Sequence, residues 1–355
     1  MSQSKKAVVI GGAGFLGRRV VALLCGAGRP DWPRFDEVWV YDLKAVDRST
    51  TGGALGDKKH PKVHDVIGDV RDSNALKAVC QDAHTVFHLA SMVYVGLDKE
   101  PMVEEINVEG TRRVIEACLE TQVQVLVYTS SEDVVLTGKP VRQGDESLPY
   151  PSRFIHDYVW TKVEGERLAL AANGSESLKT CSLRPVHIYG PDDPHALVAS
   201  LEAFATGTVP FLLGDGKARF DIVYVDNVAH AHLLAAKALD EGQGKSGVEG
   251  EAFFIGENQY PNYFDWLRPY AASKGIKMPR LRLPNTLVYL IALMMELAHK
   301  VSGREVPFHR FHYSVLCKDF YFSNEKAERL LGYRPIVSKE EAEARTMAWL
   351  EGLEF

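Results

Sequence analysis

The sequence predicts an α/β protein in which a doubly wound parallel sheet is followed by a smaller C-terminal α/β cap. Two observations lead to this prediction. Apolar runs of strand length alternate with helical segments through the first half of the chain, which is the pattern of a parallel sheet covered by helices on both faces. A glycine-rich turn follows the first apolar run, at the place where such sheets bind the pyrophosphate of a dinucleotide.

The apolar runs and the turns between them define each predicted element. KAVVI at residues 6–10 leads into the glycine turn, and a helix is predicted from about Gly14 to Cys25. Further helices are predicted over roughly residues 101–121 and around Tyr158. The six predicted strands cover residues 6–10, 36–42, 63–69, 84–91, 124–131 and 179–190.

Composition excludes several classes of function. The 355 residues carry a formal net charge of −6, and 46% of them are apolar. This mild acidity argues against nucleic acid as the main partner, because phosphate binding requires a basic surface. No C-x-x-C motif occurs and no third ligand accompanies His84 and His88, so no metal site is predicted. The scattered cysteines are typical of free thiols in a reducing compartment: Cys25, Cys80, Cys118, Cys181 and Cys317.

The expected location is cytoplasmic. The N-terminal MSQSKK carries no apolar signal segment, and no run of about 18 apolar residues occurs. The most apolar stretch, LVYLIALMMELA at 287–298, is too short to span a bilayer and contains Glu296. It predicts a buried helix or, alternatively, a helix that lines a lipophilic pocket or makes peripheral contact with a membrane.

The spacing Gly11-x-x-Gly14-x-x-Gly17 indicates a dinucleotide site. One glycine allows a tight turn, one lets the backbone approach phosphate, and one lets the helix pack on the strand. Asp42 ends the second strand, where a carboxylate accepts hydrogen bonds from both ribose hydroxyls and repels a 2′-phosphate. The predicted cofactor is therefore NAD.

The other strand ends extend this cofactor site. Asp69 and Val70 follow the third strand, where adenine meets a carboxylate and a backbone N–H. NADP is the less favoured alternative, for which Lys44 and Arg48 would hold the extra phosphate. The predicted cofactor-binding residues are Gly11, Gly14, Phe15, Leu16, Gly17, Asp42, Asp69, Val70, Leu89, Ala90, Ser91, Tyr158, Lys162 and Pro185.

Tyr158 and Lys162 form a Tyr-x-x-x-Lys pair. This spacing places a phenol and an ammonium one turn apart on the same face of a helix. A nearby cation favours the phenolate and lowers the pKa of the phenol, so the tyrosine can serve as an acid or base near neutral pH. Together with the glycine turn, the pair predicts hydride transfer at a carbinol or carbonyl.

The pattern changes after residue 190. Strands become shorter, and the loops carry more proline and glycine. We therefore assign residues 1–190 to an NAD-binding Rossmann domain and 191–355 mainly to a substrate-binding cap, with a segment of about 218–240 returning to the first domain. The cap helices are predicted near 195–206, 226–240, 284–300 and 338–351.

In this order the motifs resemble the extended short-chain dehydrogenase/reductase family. Within it the chain is most similar to the 3β-hydroxysteroid dehydrogenase branch, which includes the decarboxylating sterol-4-carboxylate 3-dehydrogenases. The general family motifs are GGAGFLG, Asp42, GDV at 68–70, FHLAS at 87–91, NVEGT at 107–111, YTSS at 128–131, YVWTK at 158–162 and LRPVHIYGP at 183–191. The branch motifs are INVEGTRRVIEAC, IHDYVWTK at 155–162, IVYVDNVAHAHLLAAKAL at 222–239 and FYFSNEKAERLLGYRP at 320–335.

The resemblance implies a catalytic trio. Ser131 would donate a hydrogen bond from its hydroxyl, with Ser130 as the rival; Tyr158 would be the acid/base and Lys162 would lower its pKa. Asn107 matches an asparagine with a structural or proton-relay role. The resemblance also implies a homodimer formed through the helices near 101–121 and 157–172.

The resulting hypothesis is NAD-dependent oxidation of the 3β-hydroxyl of a sterol or steroid to the 3-ketone, with decarboxylation when a carboxylate is present at C4. The apolar stretch at 287–298 favours a small, flat, apolar substrate over a nucleotide sugar. A cation must hold the carboxylate, and the candidates are Arg153, Arg184 and Arg219.

Three alternatives stay open. A 3β-hydroxy-Δ5-steroid dehydrogenase/isomerase needs a further acid/base residue that the sequence does not identify. A nucleotide-sugar epimerase or dehydratase uses the same scaffold with a more polar pocket. A non-catalytic NAD-binding protein would not need the trio.

Overall fold

The computed structural model of the chain describes residues 5–26, 29–47, 61–194, 197–241 and 247–355. The strands in these ranges are β1 (Lys6–Ile10), β2 (Glu37–Asp42), β3 (Lys62–Ile67), β4 (Ala83–His88), β5 (Val125–Thr129), β6 (Val141–Gly144), β7 (Lys179–Pro185), β8 (His187–Tyr189), β9 (Leu212–Leu213), β10 (Ile222–Tyr224), β11 (Ala252–Ile255), β12 (Arg282–Leu283) and β13 (Phe320–Phe322).

The α-helices in the same ranges are α1 (Gly17–Cys25), α2 (Ser73–Cys80), α3 (Pro101–Glu104), α4 (Thr111–Glu120), α5 (Asp157–Ala171), α6 (Leu197–Ala205), α7 (Val225–Glu241), α8 (Tyr263–Ser273), α9 (Asn285–Ser302), α10 (Arg310–Cys317), α11 (Glu325–Leu331) and α12 (Lys339–Glu351). A π-helical turn at Glu105–Gly110 joins α3 to α4. A 3₁₀ turn at Glu132–Val135 follows β5.

A seven-stranded parallel sheet organises the molecule. Its strand order is β11-β7-β5-β4-β1-β2-β3, and each neighbouring pair is parallel. The chain moves outward from β1 in one direction and then from β4 in the other, so the order reverses between β1 and β4. Ligands of such sheets bind at the carboxyl ends of the strands at this reversal.

Both faces of the sheet are covered, as the sequence predicted. β1 is buried throughout, and its alternate residues point to opposite faces. Val9 packs in a core with residues of α1 and α7, whereas Val8 packs with residues of α2 and α4. The α/β doubly wound fold class is therefore confirmed.

A third core underlies the C-terminal cap. It joins aromatic side chains of α8 to Tyr189, Tyr224 and residues of α6 and α12. The small parallel pairs β8–β10, β9–β12 and β6–β13 lie outside the main sheet. Segments beyond residue 190 also build the first domain, because α7 packs on α1 and β11 pairs with β7. The domain boundary itself stays a prediction.

Several predicted boundaries were wrong. The first helix begins at Gly17 rather than near Gly14, because residues 11–16 form the glycine turn. The third strand ends at Ile67, short of Asp69. β4 ends at His88 because the N–H groups of Leu89 and Ala90 both donate to the Ile10 carbonyl, which takes the chain across the end of β1. β11, a four-residue strand, was not predicted.

Helix α9 is not the buried helix that one interpretation predicted. Met294 is 62% exposed and Leu297 is 54% exposed, although Ala292 on the opposite side is fully buried. None of the helices in the described ranges combines the length and apolar character needed to cross a membrane. The five cysteines are buried free thiols.

Candidate active site

The glycine turn at the end of β1 is shaped by close backbone contacts. Gly11 has φ of +83°, and a Cβ there would lie 2.5 Å from the backbone nitrogen of Ala90. A Cβ on Gly17 would lie 2.0 Å from the Gly11 carbonyl oxygen. Gly14 is exposed, and its Cβ would meet only that carbonyl, at 3.3 Å. The turn therefore presents an open backbone surface at Gly14, which fits the approach of a pyrophosphate.

Asp42 supports this turn from the neighbouring strand. Its Oδ2 accepts a hydrogen bond from the Ala13 N–H at 2.9 Å, and its Oδ1 accepts one from the Leu43 N–H at 2.7 Å. Each carboxylate oxygen keeps a further lone pair for a ribose hydroxyl. Lys44 lies exposed beyond β2, whereas Arg48, the other candidate for an NADP phosphate, lies outside the described residues.

Asp69 and Val70 border the same edge of the sheet. The Asp69 carbonyl accepts from the Tyr41 hydroxyl at 2.8 Å. Its carboxylate binds the Arg71 guanidinium at 2.6 Å, which lowers the pKa of Asp69. Val70 is buried against Gly110, where a Cβ would lie 2.9 Å from a Val70 methyl. Asp69 is thus positioned by an ion pair that the sequence reasoning did not include.

Asn107 holds the segment after β4 against helix α5. Its Oδ1 accepts from the Ser91 hydroxyl at 3.1 Å and from the Met92 N–H at 2.7 Å. Its Nδ2 donates to the Met92 carbonyl at 2.9 Å and to the Thr161 hydroxyl at 3.1 Å. Asn107 is 1% exposed, and these four bonds give it a positioning role within the π-helical turn.

The structure brings Ser131, Tyr158 and Lys162 together beyond the carboxyl end of β5. All three are buried. Ser131 lies beside the Tyr158 phenol, and Lys162 Nζ donates to the Thr129 carbonyl at 2.7 Å. Pro185, at the end of β7, is also buried. Ser130, the rival serine, is buried too, and its hydroxyl has no hydrogen-bond partner among the described residues.

The electrostatics of the trio differ from the prediction. Burial, followed by the nearby Asp133 and Glu132 carboxylates, raises the pKa of Tyr158 well above its ordinary value. Burial lowers the pKa of Lys162 to about 8, against the opposing effect of Glu166 and Asp133. A lowered phenol pKa, which we expected from Lys162, is therefore absent from the structure, because burial disfavours the phenolate more strongly.

Two acidic residues beside the trio were missed. Glu132 and Asp133 lie in the 3₁₀ turn directly after Ser131. Glu132 Oε2 accepts from the Ser131 hydroxyl at 3.2 Å, and the Asp133 N–H donates to the same hydroxyl at 3.1 Å. The available signal was the acidic pair that immediately follows a strand-end serine, since carboxylates at such a position face the ligand edge of the sheet.

Two histidines, also missed, hold a loop beside the N-terminus of α5. His156 caps this helix by accepting from the Tyr158 N–H through Nδ1, while its Nε2 bonds the Gly96 carbonyl at 2.7 Å. His309 Nε2 bonds the adjacent Val95 carbonyl at 2.7 Å. The two imidazoles lie 5.9 Å apart between ring centres. No local sequence pattern links residues so distant along the chain.

The arginine candidates separate into two groups. Arg184 makes a buried ion pair with Glu166 at 2.7 Å, and Glu166 also accepts from Tyr150 and Ser182. The Arg184 guanidinium is therefore already bound to a structural partner, Glu166. Arg153 and Arg219 are exposed. His187 packs against Phe220 and Trp266, and no group of three or more metal-ligating side chains occurs in the described ranges.

Comparison with known families and sequences gives a consistent match. The profile of the 3-beta hydroxysteroid dehydrogenase/isomerase family matches residues 8–285. The chain is 33% identical to the 3beta-hydroxysteroid-dehydrogenase/decarboxylase isoform 1 of Arabidopsis thaliana, over 96% of this chain and 78% of that protein. It is 35% identical to the short-chain dehydrogenase/reductase family 42E member 1 of Xenopus laevis, over 94% of this chain and 87% of that protein.

Solved structures show the same fold. The crystal structure of gox2253 has a TM-score of 0.75 and 25% identity, and the match covers 98% of each chain. A dTDP-glucose 4,6-dehydratase double mutant from Streptomyces venezuelae, solved with NAD and DAU bound, has a TM-score of 0.73 and 24% identity. That match covers 98% of this chain and 97% of the dehydratase chain.

Proposed function

Because the chain belongs to the 3-beta hydroxysteroid dehydrogenase/isomerase family, an oxidoreductase family, we propose that it oxidises the 3β-hydroxyl of a sterol or steroid to the 3-ketone with NAD. The observation that carries this proposal is the buried trio Ser131, Tyr158 and Lys162 beside the glycine turn. The finer proposal is that a carboxylate at C4 is lost after oxidation. Its support is the Arabidopsis relative, which is named a dehydrogenase/decarboxylase.

The residues of the chain fit NAD. The exposed Gly14 would receive the pyrophosphate, Asp42 the ribose hydroxyls, and the Asp69–Val70 edge the adenine. Lys162, whose ammonium already lies at the strand ends, would hold the nicotinamide ribose. Bound NAD supplies the hydride acceptor and a positive ring. The preference over NADP rests on Asp42, whose carboxylate repels a 2′-phosphate.

The trio accounts for the proton transfer. Tyr158 would take the proton of the 3-hydroxyl, while Ser131 holds the same oxygen and polarises the carbonyl as it forms. Because burial raises the pKa of Tyr158, this step needs positive charge near the phenol. Lys162 lies one turn along α5 and supplies it. Loss of a C4 carboxylate then needs an enolate stabilised at the same oxygen by Ser131 and Tyr158.

Two alternatives to this function each have an observation in their favour. Isomerisation of a Δ5 double bond after oxidation is favoured by the family's name. A nucleotide-sugar epimerase or dehydratase is favoured by the fold neighbours, among them a UDP-glucose 4-epimerase from Thermotoga maritima with a TM-score of 0.70 and 21% identity. The apolar character of α9 favours the steroid over a nucleotide sugar.

A substrate panel tests the proposal. NADH formation is measured with a 4-carboxysterol, a 3β-hydroxysteroid without the carboxyl, and a UDP-sugar, and with the variant Tyr158→Phe beside the natural chain. NADH from the 4-carboxysterol alone, lost in the variant, is the expected result. NADH from both steroids indicates the general steroid dehydrogenase, and turnover of the sugar alone would overturn the proposal.

We also propose peripheral contact between α9 and an anionic membrane surface. Along one side of the helix, Leu290, Met294 and Val301 are exposed, and Val301 reaches 83%. The exposed Lys300 and Arg304 lie at the C-terminal end of this apolar surface. Apolar side chains bordered by cations suit the boundary between acyl chains and anionic head groups. A membrane-bound sterol would then reach the enzyme from this side.

The homodimer through α4 and α5 also stays a proposal. It rests on the family resemblance, with the two helices packed side by side as its structural basis. Light scattering of the purified chain tests it.

A further inference from the structure

Two carboxyl groups lie beside the trio without a role in the oxidation. The side chains of Glu132 and Asp133 are partly accessible, although the turn that carries them follows a buried strand and packs on α5. Glu132 bonds the Ser131 hydroxyl directly. Asp133 interacts with Ser131 and Lys162. Both residues thus contact the Ser131 hydroxyl, Glu132 through its carboxylate and Asp133 through its N–H.

Glu132 and Asp133 differ from Glu166, the carboxylate nearby that has a structural role. Glu166 is fully buried, and its ion pair and hydrogen bonds hold its pKa below the usual value. In the described part of the chain, Glu132 and Asp133 have no cation within salt-bridge distance. Burial and the adjacent Asp133 raise the pKa of Glu132 well above its usual value. Burial also raises the pKa of Asp133, with Ser131 and Lys162 opposing it.

Each of the two carboxyl groups disfavours the ionisation of the other, and Asp133 is among the causes that raise the pKa of Glu132. Adjacent carboxylates cannot both ionise without strong repulsion. Asp133 lies under the influence of the Lys162 ammonium, which favours its ionised form. Glu132 is the member of the pair whose protonated form is favoured by burial and by the neighbouring carboxylate.

We propose that Glu132, partnered by Asp133, is a further catalytic residue that transfers a proton at the carbon next to the newly formed ketone. The proposal rests on the proposed function, since it requires a 3-ketone held by Ser131 and Tyr158. The neighbouring carbon is two bonds from the ketone oxygen, and Glu132 already hydrogen-bonds Ser131, the other group that would hold this oxygen.

The proton transfer serves two reactions of the 3-ketone, decarboxylation and isomerisation of a double bond. When that carbon carries a carboxylate, its C–C bond breaks and CO2 leaves. The electron pair forms the enolate, and the Glu132 proton then bonds to the carbon as the ketone re-forms. Water returns the proton to Glu132. When a β,γ double bond is present instead, Glu132 in its ionised form removes a proton from the carbon, and the resulting carboxylic acid returns it to the γ carbon.

Isotope exchange tests the proposal separately from the oxidation. A 3-ketosteroid is incubated in D2O with the enzyme and NAD, and deuterium at the neighbouring carbon is measured by NMR. We expect deuterium on one face of that carbon. Glu132→Gln should lower the exchange about 100-fold, the scale of a lost general acid, while NADH formation from the 3β-hydroxy substrate that the panel identifies falls less than about tenfold.

The controls separate the outcomes. Glu164→Gln, which removes a carboxylate on the outer side of α5 that pairs with Arg167, should alter neither reaction. Glu132→Asp retains an acid and should restore part of the exchange. Exchange that Glu132→Gln leaves unchanged, or that falls only in step with NADH formation, overturns this proposal alone. Failure of the natural chain to oxidise any 3β-hydroxysteroid overturns the proposed function and this proposal together.

Discussion

At the scale of single residues, the glycines of the turn have different tasks. Gly17 is required by packing, because a Cβ there would meet the rigid Gly11 carbonyl at 2.0 Å. Gly14 keeps an open face toward the cofactor. We predict that Gly17→Ala lowers the free energy of unfolding by about 3 kcal/mol or more, as overpacking against backbone does. Gly14→Ala should change it by less than about 1 kcal/mol and weaken NAD binding.

Urea unfolding and NAD titration of both variants measure the two effects. Equal destabilisation by the two substitutions would contradict the separation between a packing glycine and a ligand-facing glycine.

The protonation of Lys162 gives a second prediction at this scale. Burial lowers its pKa from 10.5 to about 8, so the ammonium predominates below about pH 8 and is lost as the pH rises through that value. Because the proposed mechanism uses this charge, kcat/KM should fall above about pH 8. The guanidinium of Lys162→Arg stays charged there, so its alkaline limb should move upward even if the rate is lower.

The free energy of unfolding should change with pH in the opposite direction to kcat/KM. A folded pKa below the unfolded one means that the unfolded chain binds more protons between about pH 8 and 10.5, so this group adds to stability as the pH rises.

Profiles of kcat/KM against pH for the natural chain and for Lys162→Arg check the prediction on catalysis. An identical alkaline limb in both would contradict it.

At the scale of elements, α9 is the surface that most needs a partner. Its apolar side chains outnumber those expected on a solvated helix face, since Leu287, Leu290 and Met294 are all exposed. We predict that the chain co-sediments with vesicles containing anionic lipid, and that Leu290→Glu combined with Met294→Glu reduces the bound fraction at least tenfold. The reason is that both substitutions place charge on the exposed side of the helix that would enter the membrane surface.

Ile67→Glu is the matched control, because Ile67 is 61% exposed at the end of β3, away from α9. Vesicle binding that survives the α9 substitutions would contradict the membrane proposal. A dimer that the same substitutions dissociate would assign the surface to a second copy instead.

At the scale of the whole molecule, Asn227 connects distant parts of the chain. It is fully buried on α7, and its Oδ1 accepts from the N–H groups of Ile336 and Val337 at 2.8 and 2.9 Å. Its Nδ2 donates to the Val337 carbonyl and to Glu257. We predict that Asn227→Ala lowers the free energy of unfolding by about 2–5 kcal/mol, because several buried polar groups lose their partners.

Denaturant unfolding measures this loss, with Asn74→Ala at an exposed position as the control. A change below about 0.5 kcal/mol would show that the C-terminal segment is held mainly by its apolar contacts.

The sequence predicted the sheet well because its strands are buried on both faces and therefore read as apolar runs, as in β1 and β5. β11 was not predicted because its four residues, AFFI, are too few to show a strand periodicity, and because their pairing depends on the free edge of β7. Long-range polar contacts were not predicted for a different reason. The bond between His309 and Val95 spans 214 positions, and no local periodicity encodes such a contact.

The late position of β11 has a consequence for biosynthesis. A ribosome releases the chain from its N-terminus, so β7 emerges while the strand that pairs with it, Ala252–Ile255, is still inside the exit tunnel or not yet translated. During that interval the nascent chain presents an apolar strand edge that can pair with another chain. Synthesis of the intervening residues thus sets how long this edge of β7 stays unpaired.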